Sequence, residues 1–235
     1  SGSYSVAVVN PNEGNTSSSN AMAYIGPPSG LILIETYAPA NATGTSRVFT
    51  ATGGNFSTSS NSGCPIKVIT GATSTETGTC ATSVSGSRFI LSFTIPNLSS
   101  GTYSLRAYGI QGNFTNGIYS DVPIIYVNKP SGLSISDAFV PASTSGVTST
   151  VSGTNIGVAL SFPLTIGSAT TTINSTTTTS VTLTVPSGSA NATSAIRVYG
   201  SNGSDSNGVY TDDSSLTITY IAKPSGLSLD DSYVK

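Results

Sequence analysis

The chain has 235 residues, a formal net charge of −2, and charged side chains at only 8% of its positions. Proteins that bind nucleic acids need a basic surface, and eight Lys and Arg residues against ten Asp and Glu residues do not supply one. The sequence has no run of about 18 apolar residues, the minimum for a membrane-spanning helix, so we expect no membrane insertion in this segment.

The first predicted elements are β-strands. Val, Ile, Thr and Tyr are frequent while Glu, Lys and Arg are scarce, which favours strands over helices. The opening residues 1–6 read Ser-Gly-Ser-Tyr-Ser-Val, and residues 100–105 read Ser-Gly-Thr-Tyr-Ser-Leu. The start of the chain therefore matches a stretch near its middle, which indicates an internal repeat.

A tetrapeptide marks the repeat. Pro-Ser-Gly-Leu occurs three times, beginning at Pro28, Pro130 and Pro224. A tyrosine lies four residues before each proline, and we expect these rings to pack in the core or between domains rather than to stack on a ligand: Tyr24, Tyr126 and Tyr220. The repeat predicts domain boundaries at 1–27, 28–129, 130–223 and 224–235.

In this division, residues 28–129 and 130–223 are two complete domains. Residues 1–27 are the last strands of a preceding domain, and residues 224–235 are the first strand of a following one. We therefore expect the natural polypeptide to be longer, or the end strands to be completed by neighbouring chains through β-strand addition.

Cys64 and Cys80, the two cysteines of the chain, lie in the first complete repeat. An even pair in a Ser- and Thr-rich chain predicts an oxidising compartment and one disulfide. Two buried free thiols are the alternative. A metal site is disfavoured because the chain has no histidine to complete one.

Alternating strands follow in both repeats. Residues 90–95 and 181–185 alternate apolar and polar side chains, the pattern of half-buried strands. Pro96 and Pro186 end these runs, because proline cannot continue a hydrogen-bonded ladder. Asn-Gly pairs at 116–117 and 207–208 suit a tight turn or bulge. Short strands at this spacing predict an all-β fold of tandem β-sandwiches.

The same motifs resemble the immunoglobulin-like family shared by plexins and transcription factors, known as IPT/TIG. The opening of the family pattern is matched by the following residues: Pro39, Gly44 and 52–56 in the first repeat, and Ile135, Pro141, Gly146 and 151–155 in the second. Its ending is matched by residues 182–186, 196–198, 206–209 and 217–220. The resemblance covers nearly the whole chain and implies tandem immunoglobulin-like β-sandwich domains. It says far more about the fold than about a function.

The paired glycine often seen before the second strand in that family is absent. Thr-Gly-Thr at 43–45 and Ser-Gly-Val at 145–147 take its place. The segment from Cys64 to Cys80 is an insertion relative to the minimal family pattern. These departures affect the strand boundaries rather than the fold.

The composition gives little support to catalysis. Without histidine, the usual nucleophile and base cannot be assembled, and we expect the chain not to be an enzyme. The remaining candidates are two adjacent acidic pairs, Asp212 with Asp213 and Asp230 with Asp231. Neighbours on a strand point to opposite faces, so we expect neither pair to converge on one substrate. These four aspartates could instead bind calcium between domains. We favour the simpler interpretation that they are solvated acids in loops. No cofactor or metal is predicted.

The sequon Asn-X-Ser/Thr occurs at eight asparagines: Asn15, Asn41, Asn55, Asn97, Asn113, Asn174, Asn191 and Asn202. A surface this poor in charge needs another source of hydration, and glycans are bulky and solubilising. We therefore predict N-glycosylation, with at least half of the eight occupied. Asn55 also lies in a family turn motif, which gives it a structural alternative. The hydroxyl-rich residues 170–180 form either an O-glycosylated segment or a Thr-rich hairpin.

These features predict an extracellular, glycosylated structural segment, a filament, stalk or surface fibre of end-to-end domains. Its expected partners are other copies of itself or adjacent domains of the same chain, and covalent glycans. The few residues between repeats, with a proline among them, predict limited bending. The ectodomain of an adhesion protein or receptor is the alternative. A carbohydrate-binding module is less favoured because tryptophan is absent.

Overall fold

The structure is a computed structural model. It describes residues 2–6, 20–41, 48–56, 65–70, 73–76, 80–85, 88–110, 112, 117–143, 146–158, 164–226 and 228. Every regular element in these residues is a β-strand, which confirms the predicted all-β class. None of the described residues forms a helix long and apolar enough to cross a membrane.

The first half of the chain contains eleven of the described strands. They are β1 (Gly2–Val6), β2 (Asn20–Tyr24), β3 (Ser29–Leu33), β4 (Tyr37–Pro39), β5 (Val48–Gly54), β6 (Ile66–Thr70), β7 (Thr73–Glu76), β8 (Cys80–Ser85), β9 (Arg88–Thr94), β10 (Gly101–Tyr108) and β11 (Tyr119–Val127).

The second half contains nine. They are β12 (Ser131–Ile135), β13 (Phe139–Pro141), β14 (Thr148–Thr154), β15 (Leu164–Ile166), β16 (Ala169–Thr170), β17 (Thr172–Thr176), β18 (Ser180–Thr184), β19 (Thr193–Tyr199) and β20 (Tyr210–Ile221). The predicted runs at 90–95 and 181–185 correspond to β9 and β18, and both strands end before their prolines, as predicted.

The chain divides into two compact units. Unit 1 comprises Ser1–Thr36 and Ala42–Tyr126, and unit 2 comprises Tyr37–Asn41 and Val127–Lys235.

Unit 2 has the strand order of an immunoglobulin-like sandwich. One sheet has the order β12-β14-β18-β17, and the other has the order β13-β20-β19-β15-β16. Lettered along the chain, these orders correspond to the ABED sheet and the GFC sheet with a C′ strand, which define the immunoglobulin fold. The predicted immunoglobulin-like architecture is therefore confirmed.

In unit 2, the segment that contains β12 and β13 changes sheets. β12 pairs antiparallel with β14, whereas β13, a few residues later, pairs parallel with β20 through Val140 and Tyr220. The crossover between them is held by the Ser136 amide, which donates to Thr150 O at 2.9 Å, and by Thr219 N, which donates to Ala138 O at 2.8 Å. One short segment thus contributes an edge strand to both sheets.

The core of unit 2 lies between the two sheets. Val151, Val181 and Leu183 from the first sheet pack in one cluster with Ile196 and Val198 from the second, and all five are buried. In β18 the burial alternates residue by residue, as the sequence predicts. Each buried aliphatic side chain contributes roughly 1.5–3 kcal/mol, so this alternation is the main source of the unit's stability.

Unit 1 repeats the arrangement. One sheet has the order β3-β5-β9-β8, and the other contains the neighbours β11-β10-β6-β7 in that order. The hydroxyl of Tyr103, near the start of β10, donates to Ser99 O at 3.1 Å. This bond from a tyrosine back to the preceding corner is the tyrosine corner of immunoglobulin-like sandwiches.

The repeated tyrosines separate into two groups. Tyr126 and Tyr220 are buried, with 1% and 3% of their surface exposed, which confirms the predicted core role. Tyr126 packs edge-on against Tyr103 at 5.3 Å and donates to Pro96 O at 3.1 Å. Tyr24 is not a core residue, since 60% of it is exposed. It lies on β2, which pairs with β1 in a two-stranded sheet.

Candidate functional site

The most elaborate polar arrangement in each unit is built on two neighbouring strands. Antiparallel pairing of β10 with β11 places Arg106 opposite Asp121, and pairing of β19 with β20 places Arg197 opposite Asp212. Directly opposed side chains lie about 4.5–5.5 Å apart at Cβ, which is close enough for a guanidinium to meet a carboxylate. The sequence repeat therefore produces the same ion pair twice.

In unit 1 the pair belongs to what we call the Arg106 cluster: Arg106, Tyr108, Tyr119 and Asp121. Arg106 donates from Nε and Nη2 to the two carboxylate oxygens of Asp121, each at 2.8 Å. Its guanidinium carbon lies 3.6 Å from the centre of the Tyr119 ring, which packs edge-on against Tyr108. A cation held between a carboxylate and an aromatic face is stabilised from two directions.

Unit 2 contains the equivalent Arg197 cluster: Arg197, Tyr199, Asp205, Tyr210 and Asp212. Arg197 donates to Asp212 at 2.6 and 2.8 Å and lies 4.2 Å from the centre of the Tyr210 ring. A further carboxylate, Asp205, accepts from Arg197 Nη1 at 2.6 Å and from the Tyr199 hydroxyl at 2.7 Å. One guanidinium thus bridges two carboxylates.

These contacts change the acidities of the groups. Hydrogen bonding to Asp121 raises the pKa of Arg106, and hydrogen bonding to Asp212 raises the pKa of Arg197, so both guanidiniums stay charged. Burial, followed by the hydrogen bond to Asp205, raises the pKa of Tyr199. The cluster therefore holds a fixed cation at neutral pH rather than a group that exchanges protons.

The two clusters differ in exposure. The side chain of Arg106 is 10% exposed, whereas that of Arg197 is 32% exposed. In unit 1 the residue opposite Arg106 on the other neighbouring strand is Lys67, and in unit 2 the corresponding partner of Arg197 is the smaller Thr165. The shorter side chain leaves the Arg197 cluster open to solvent on that side.

An open cleft of about 520 Å³ lies beside Arg197. Gly167 and Ala195 are among its small lining residues, and Arg197, Asp205, Asp212 and Asp213 are its charged ones. Three carboxylates against one guanidinium give the cleft a local excess of negative charge. Among the described residues, no group of three or more His, Cys, Asp or Glu side chains is arranged to hold a metal ion.

The adjacent acids Asp212 and Asp213 both line this cleft. Asp213 is the last residue before a register shift in β20, where Ile196 pairs with Asp213 and Ala195 pairs with Thr217. That the two carboxylates do not converge on one substrate stays a prediction. Ser215 donates from its amide and hydroxyl to Asp213, which lowers the pKa of that carboxyl. Asp230 and Asp231 lie outside the described residues.

Six of the eight sequon asparagines are described, and all six are exposed: Asn41, Asn55, Asn97, Asn174, Asn191 and Asn202. Asn15 and Asn113 lie outside the described residues. Asn174 interacts with Thr184 through two contacts of 3.3 Å across β17 and β18. Exposure makes these side chains accessible to a glycosyltransferase, and their N-glycosylation stays a prediction.

Backbone geometry gives a second explanation, besides glycosylation, for the presence of asparagine at several of these positions. Asn41, Asn55, Asn191 and Asn202 have φ between 48° and 64°, a left-handed conformation that asparagine tolerates better than most residues. Asn155 has φ 58° at the turn matching that of Asn55, yet it is not part of a sequon. The turn alone thus accounts for asparagine at this position.

Of two further predictions, one falls partly on an undescribed residue. Cys80 begins β8, whereas Cys64 lies outside the described residues, so the disulfide stays a prediction. The hydroxyl-rich residues 170–180 form the hairpin of β17 and β18, as the structural alternative predicts. Thr177 Oγ1 accepts from Ser180 N at 2.9 Å and closes its turn. O-glycosylation of this hairpin stays a prediction.

Sequence reasoning missed both arginine clusters. The signal was present, since Arg106 and Arg197 occupy the same place in the repeated motif of a chain with only eight basic residues. Their carboxylate partners lie fifteen residues further on, beyond a turn. The register that brings each arginine opposite its aspartate becomes known only from the strand pairing.

No protein-family model matches the chain, and a comparison with curated proteins finds no match. Solved structures give remote likenesses. The plexin A4 extracellular region is 12% identical over 83% of this chain and 18% of that chain, with a TM-score of 0.39. A Bacteroides ovatus SGBP-B from a mixed-linkage glucan utilization locus, in complex with a mixed-linkage heptasaccharide, is 19% identical over 94% of this chain and 52% of that chain, with a TM-score of 0.29.

The adhesin InvE of Yersinia pseudotuberculosis is 16% identical over 83% of this chain and 60% of that chain, with a TM-score of 0.28. The chain thus spans less than two thirds of the length of each of these three structures. TM-scores this low do not define a shared fold, so the immunoglobulin-like assignment rests on the strand orders described above.

Proposed function

We propose that this chain is a non-catalytic structural segment of an extracellular, glycosylated filament, stalk or surface fibre built from immunoglobulin-like domains. Its partners are other copies of itself or adjacent domains of the same chain. We assign its domains to the IPT/TIG branch of the immunoglobulin-like fold on the motifs at Pro39, Pro141 and residues 52–56 and 151–155.

The observation that carries this proposal is the repetition of the Arg106 cluster as the Arg197 cluster. Both units use the same four residue types, Arg, Tyr, Tyr and Asp, to join the same pair of strands. A reactive site is not normally copied with its geometry into every repeat of an array, whereas a structural cross-link is. Solenoid-like arrays use such repetition to extend a chain with little sequence complexity.

The charge distribution also supports a structural role. With charged residues at 8% of positions, two of the eight basic side chains are bound to carboxylates within the clusters. The exposed sequons would supply the surface hydration that charge does not. Glycans and a disulfide both belong to an extracellular setting.

Negative-stain electron microscopy of the native material tests this function. Long uniform fibres are the expected result, together with glycopeptides at the sequons by mass spectrometry of the same sample. Discrete monomeric rods would overturn the filament proposal and leave the adhesion alternative. If no glycopeptide were found, the proposal that the surface is glycosylated would be wrong.

The cleft beside Arg197 favours a second candidate, the ectodomain of an adhesion protein or receptor. Its Asp205 side chain is 69% exposed while holding Arg197, so a ligand can reach both charges. Under this candidate, Asp205→Asn lowers binding to cells or to immobilised oligosaccharides at least tenfold, whereas Asp137→Asn, a change in the crossover between β12 and β13, does not. Equal binding by all three proteins would exclude the cleft as the adhesive surface.

A further inference from the structure

Unit 2 holds the segment that leads into it. The three residues between β11 and β12 are Asn128, Lys129 and Pro130. The Thr211 hydroxyl, on β20, donates to Pro130 O at 2.6 Å, and Asn155 Nδ2 donates to Lys129 O at a longer 3.4 Å. Two consecutive peptide groups of this linker are therefore tied to unit 2 by side chains.

Close packing at Gly200 adds to this hold. A Cβ placed on Gly200 would lie 3.1 Å from Asn128 O, 3.3 Å from Pro130 Cδ and 2.9 Å from a methyl of Val209. The proline ring thus sits against the backbone at a position where any side chain would push it away. Pro130 itself is buried. This explains physically why the tight turn after β19 begins with glycine.

Unit 1 contains the same contacts at the preceding copy of the tetrapeptide. The Ser120 hydroxyl donates to Pro28 O, and a Cβ on Gly109 would lie 3.2 Å from Pro28 Cδ. Ser120 follows Tyr119 as Thr211 follows Tyr210, so one hydroxyl residue next to each arginine cluster makes the bond. Two occurrences of the same hydroxyl, glycine and proline make a coincidental contact untenable.

The tetrapeptide has a matching backbone feature. Gly30, Gly132 and Gly226 all have φ between 60° and 69°, a left-handed conformation that glycine adopts without strain. Proline fixes its own φ, which limits the freedom of the residue whose carbonyl accepts the hydroxyl. Gly30 and Gly132 each lie in a register shift near the start of a strand, just after the Pro28 and Pro130 carbonyls that accept the hydroxyls.

We infer that Thr211, Gly200 and Pro130 form a linker lock, and that Ser120, Gly109 and Pro28 form its counterpart in unit 1. The lock makes the segment leading into each unit a fixed part of that unit instead of a swivel. The lock would make residues 128–130 rigid whether or not the protein assembles into fibres. Only the idea that this rigidity stiffens a fibre rests on the proposed function.

The test is backbone ¹⁵N relaxation of the full chain, read at the amides of Asn128, Lys129, Ser131 and Gly132. In the unmodified protein we expect order parameters near 0.85, as in rigid backbone. Thr211→Val, which removes the donor at nearly constant shape, lowers them toward about 0.6. Gly200→Ala, which displaces the proline ring, does the same.

Two matched controls separate the lock from general damage. Thr211→Ser keeps the hydroxyl, as Ser120 does in unit 1, and leaves the order parameters unchanged. Thr219→Val removes a hydroxyl from the same strand, one that pairs with Thr193 at 3.1 Å, and also leaves the linker rigid. Ser120→Ala loosens the amides of Ser29 and Gly30 only, which gives an independent reading if Gly200→Ala fails to fold.

An equally rigid linker in Thr211→Val and an equally rigid Ser29 in Ser120→Ala would overturn the inference, as would a flexible linker in the unmodified protein. The fibre proposal fails on a different result, the absence of fibres in native material. A monomeric protein with a rigid, Thr211-dependent linker would keep the lock and discard the filament.

Discussion

Arg106 and Asp121 form a two-point ion pair across β10 and β11, with both nitrogen–oxygen distances at 2.8 Å. The pair has a close relative in Arg197 and Asp212, but the two differ in solvent access. Asp121 is 33% exposed in its side chain and Asp212 is 53% exposed. The same two-point pair thus occurs in two environments, one more buried and one more exposed with Asp205 as a second carboxylate on Arg197.

We predict that Asp121→Asn destabilises unit 1 by about 2–3 kcal/mol, because it leaves a mostly buried guanidinium without its carboxylate. The corresponding change Asp212→Asn costs less than about 1 kcal/mol, since water screens the exposed pair and Asp205 still binds Arg197. Hydrogen exchange measured by mass spectrometry on peptides from each unit reads the two effects separately. Equal losses in both units would show that burial does not set the strength of the pair.

Gly188 and Tyr220 give a packing prediction. A Cβ on Gly188 would lie 2.4 to 2.5 Å from atoms of the Tyr220 ring, which is buried in the core. Gly188→Ala must displace that ring and should destabilise unit 2 by about 1–3 kcal/mol. The control is Gly26→Ala, where an added Cβ meets nothing within 4 Å. Urea unfolding followed by tyrosine fluorescence compares the two, and an equal midpoint for both variants would contradict the packing argument.

Tyr126 gives a prediction at alkaline pH. Burial, and then its neighbour Tyr103, raises the pKa of Tyr126 above its usual value. Since the folded state resists losing this proton, the stability it adds is complete below about pH 10 and declines as the pH rises through the raised pKa.

Tyr126→Phe should therefore cost about 1 kcal/mol at pH 7 through the lost bond to Pro96 O, and then lose stability less steeply than the unmodified protein above about pH 10. Urea titrations at a series of pH values measure both slopes. Tyr24→Phe, a change at an exposed ring, serves as the control. Parallel slopes for the protein and Tyr126→Phe would mean that this phenol does not contribute to alkaline unfolding.

The sequons in left-handed turns allow glycan and backbone effects to be separated. At Asn191, φ 64°, the change to Asp removes the sequon and keeps a residue that tolerates this conformation. Asn191→Ala removes the sequon and adds about 1 kcal/mol of backbone strain. In protein from a host without glycosylation, only the alanine variant should be destabilised.

In the native source we expect glycopeptides at no fewer than half of the eight sequons, and Asn191→Asp should lose one of them. Asn155→Ala is the matched control, because it has the same turn conformation without a sequon. Its stability should fall in either host. A stability loss for Asn191→Asp in the unglycosylated host would assign the residue a role beyond its backbone conformation.

The predicted Cys64–Cys80 disulfide can be tested directly. Peptide mapping without reductant should yield one cross-linked peptide, and its reduction should lower the stability of unit 1 by about 3 kcal/mol. Iodoacetamide labelling of both thiols in unreduced native protein would contradict the bridge.

Much of the fold could be predicted because the repeat consists of short local motifs. The alternation at 181–185, the prolines that end strands and the recurring Pro-Ser-Gly-Leu each depend on a few neighbouring residues. The arginine clusters could not be predicted in the same way, since they require the register between strands separated by a turn. The register shift of β20 after Asp213 could not be predicted either, because period-two reasoning assumes an unbroken strand.

The sheet change between β12 and β13 also bears on how unit 2 would respond to force. Tension applied through Pro130 meets the antiparallel pairing of β12 with β14 and then the parallel pairing of β13 with β20, the last described strand of unit 2. Pulling the first and last strands of a sandwich apart in parallel shears all their hydrogen bonds at once instead of breaking them one by one. The eleven residues from the start of β12 to the end of β13 thus connect the Pro130 end of unit 2 mechanically to β20.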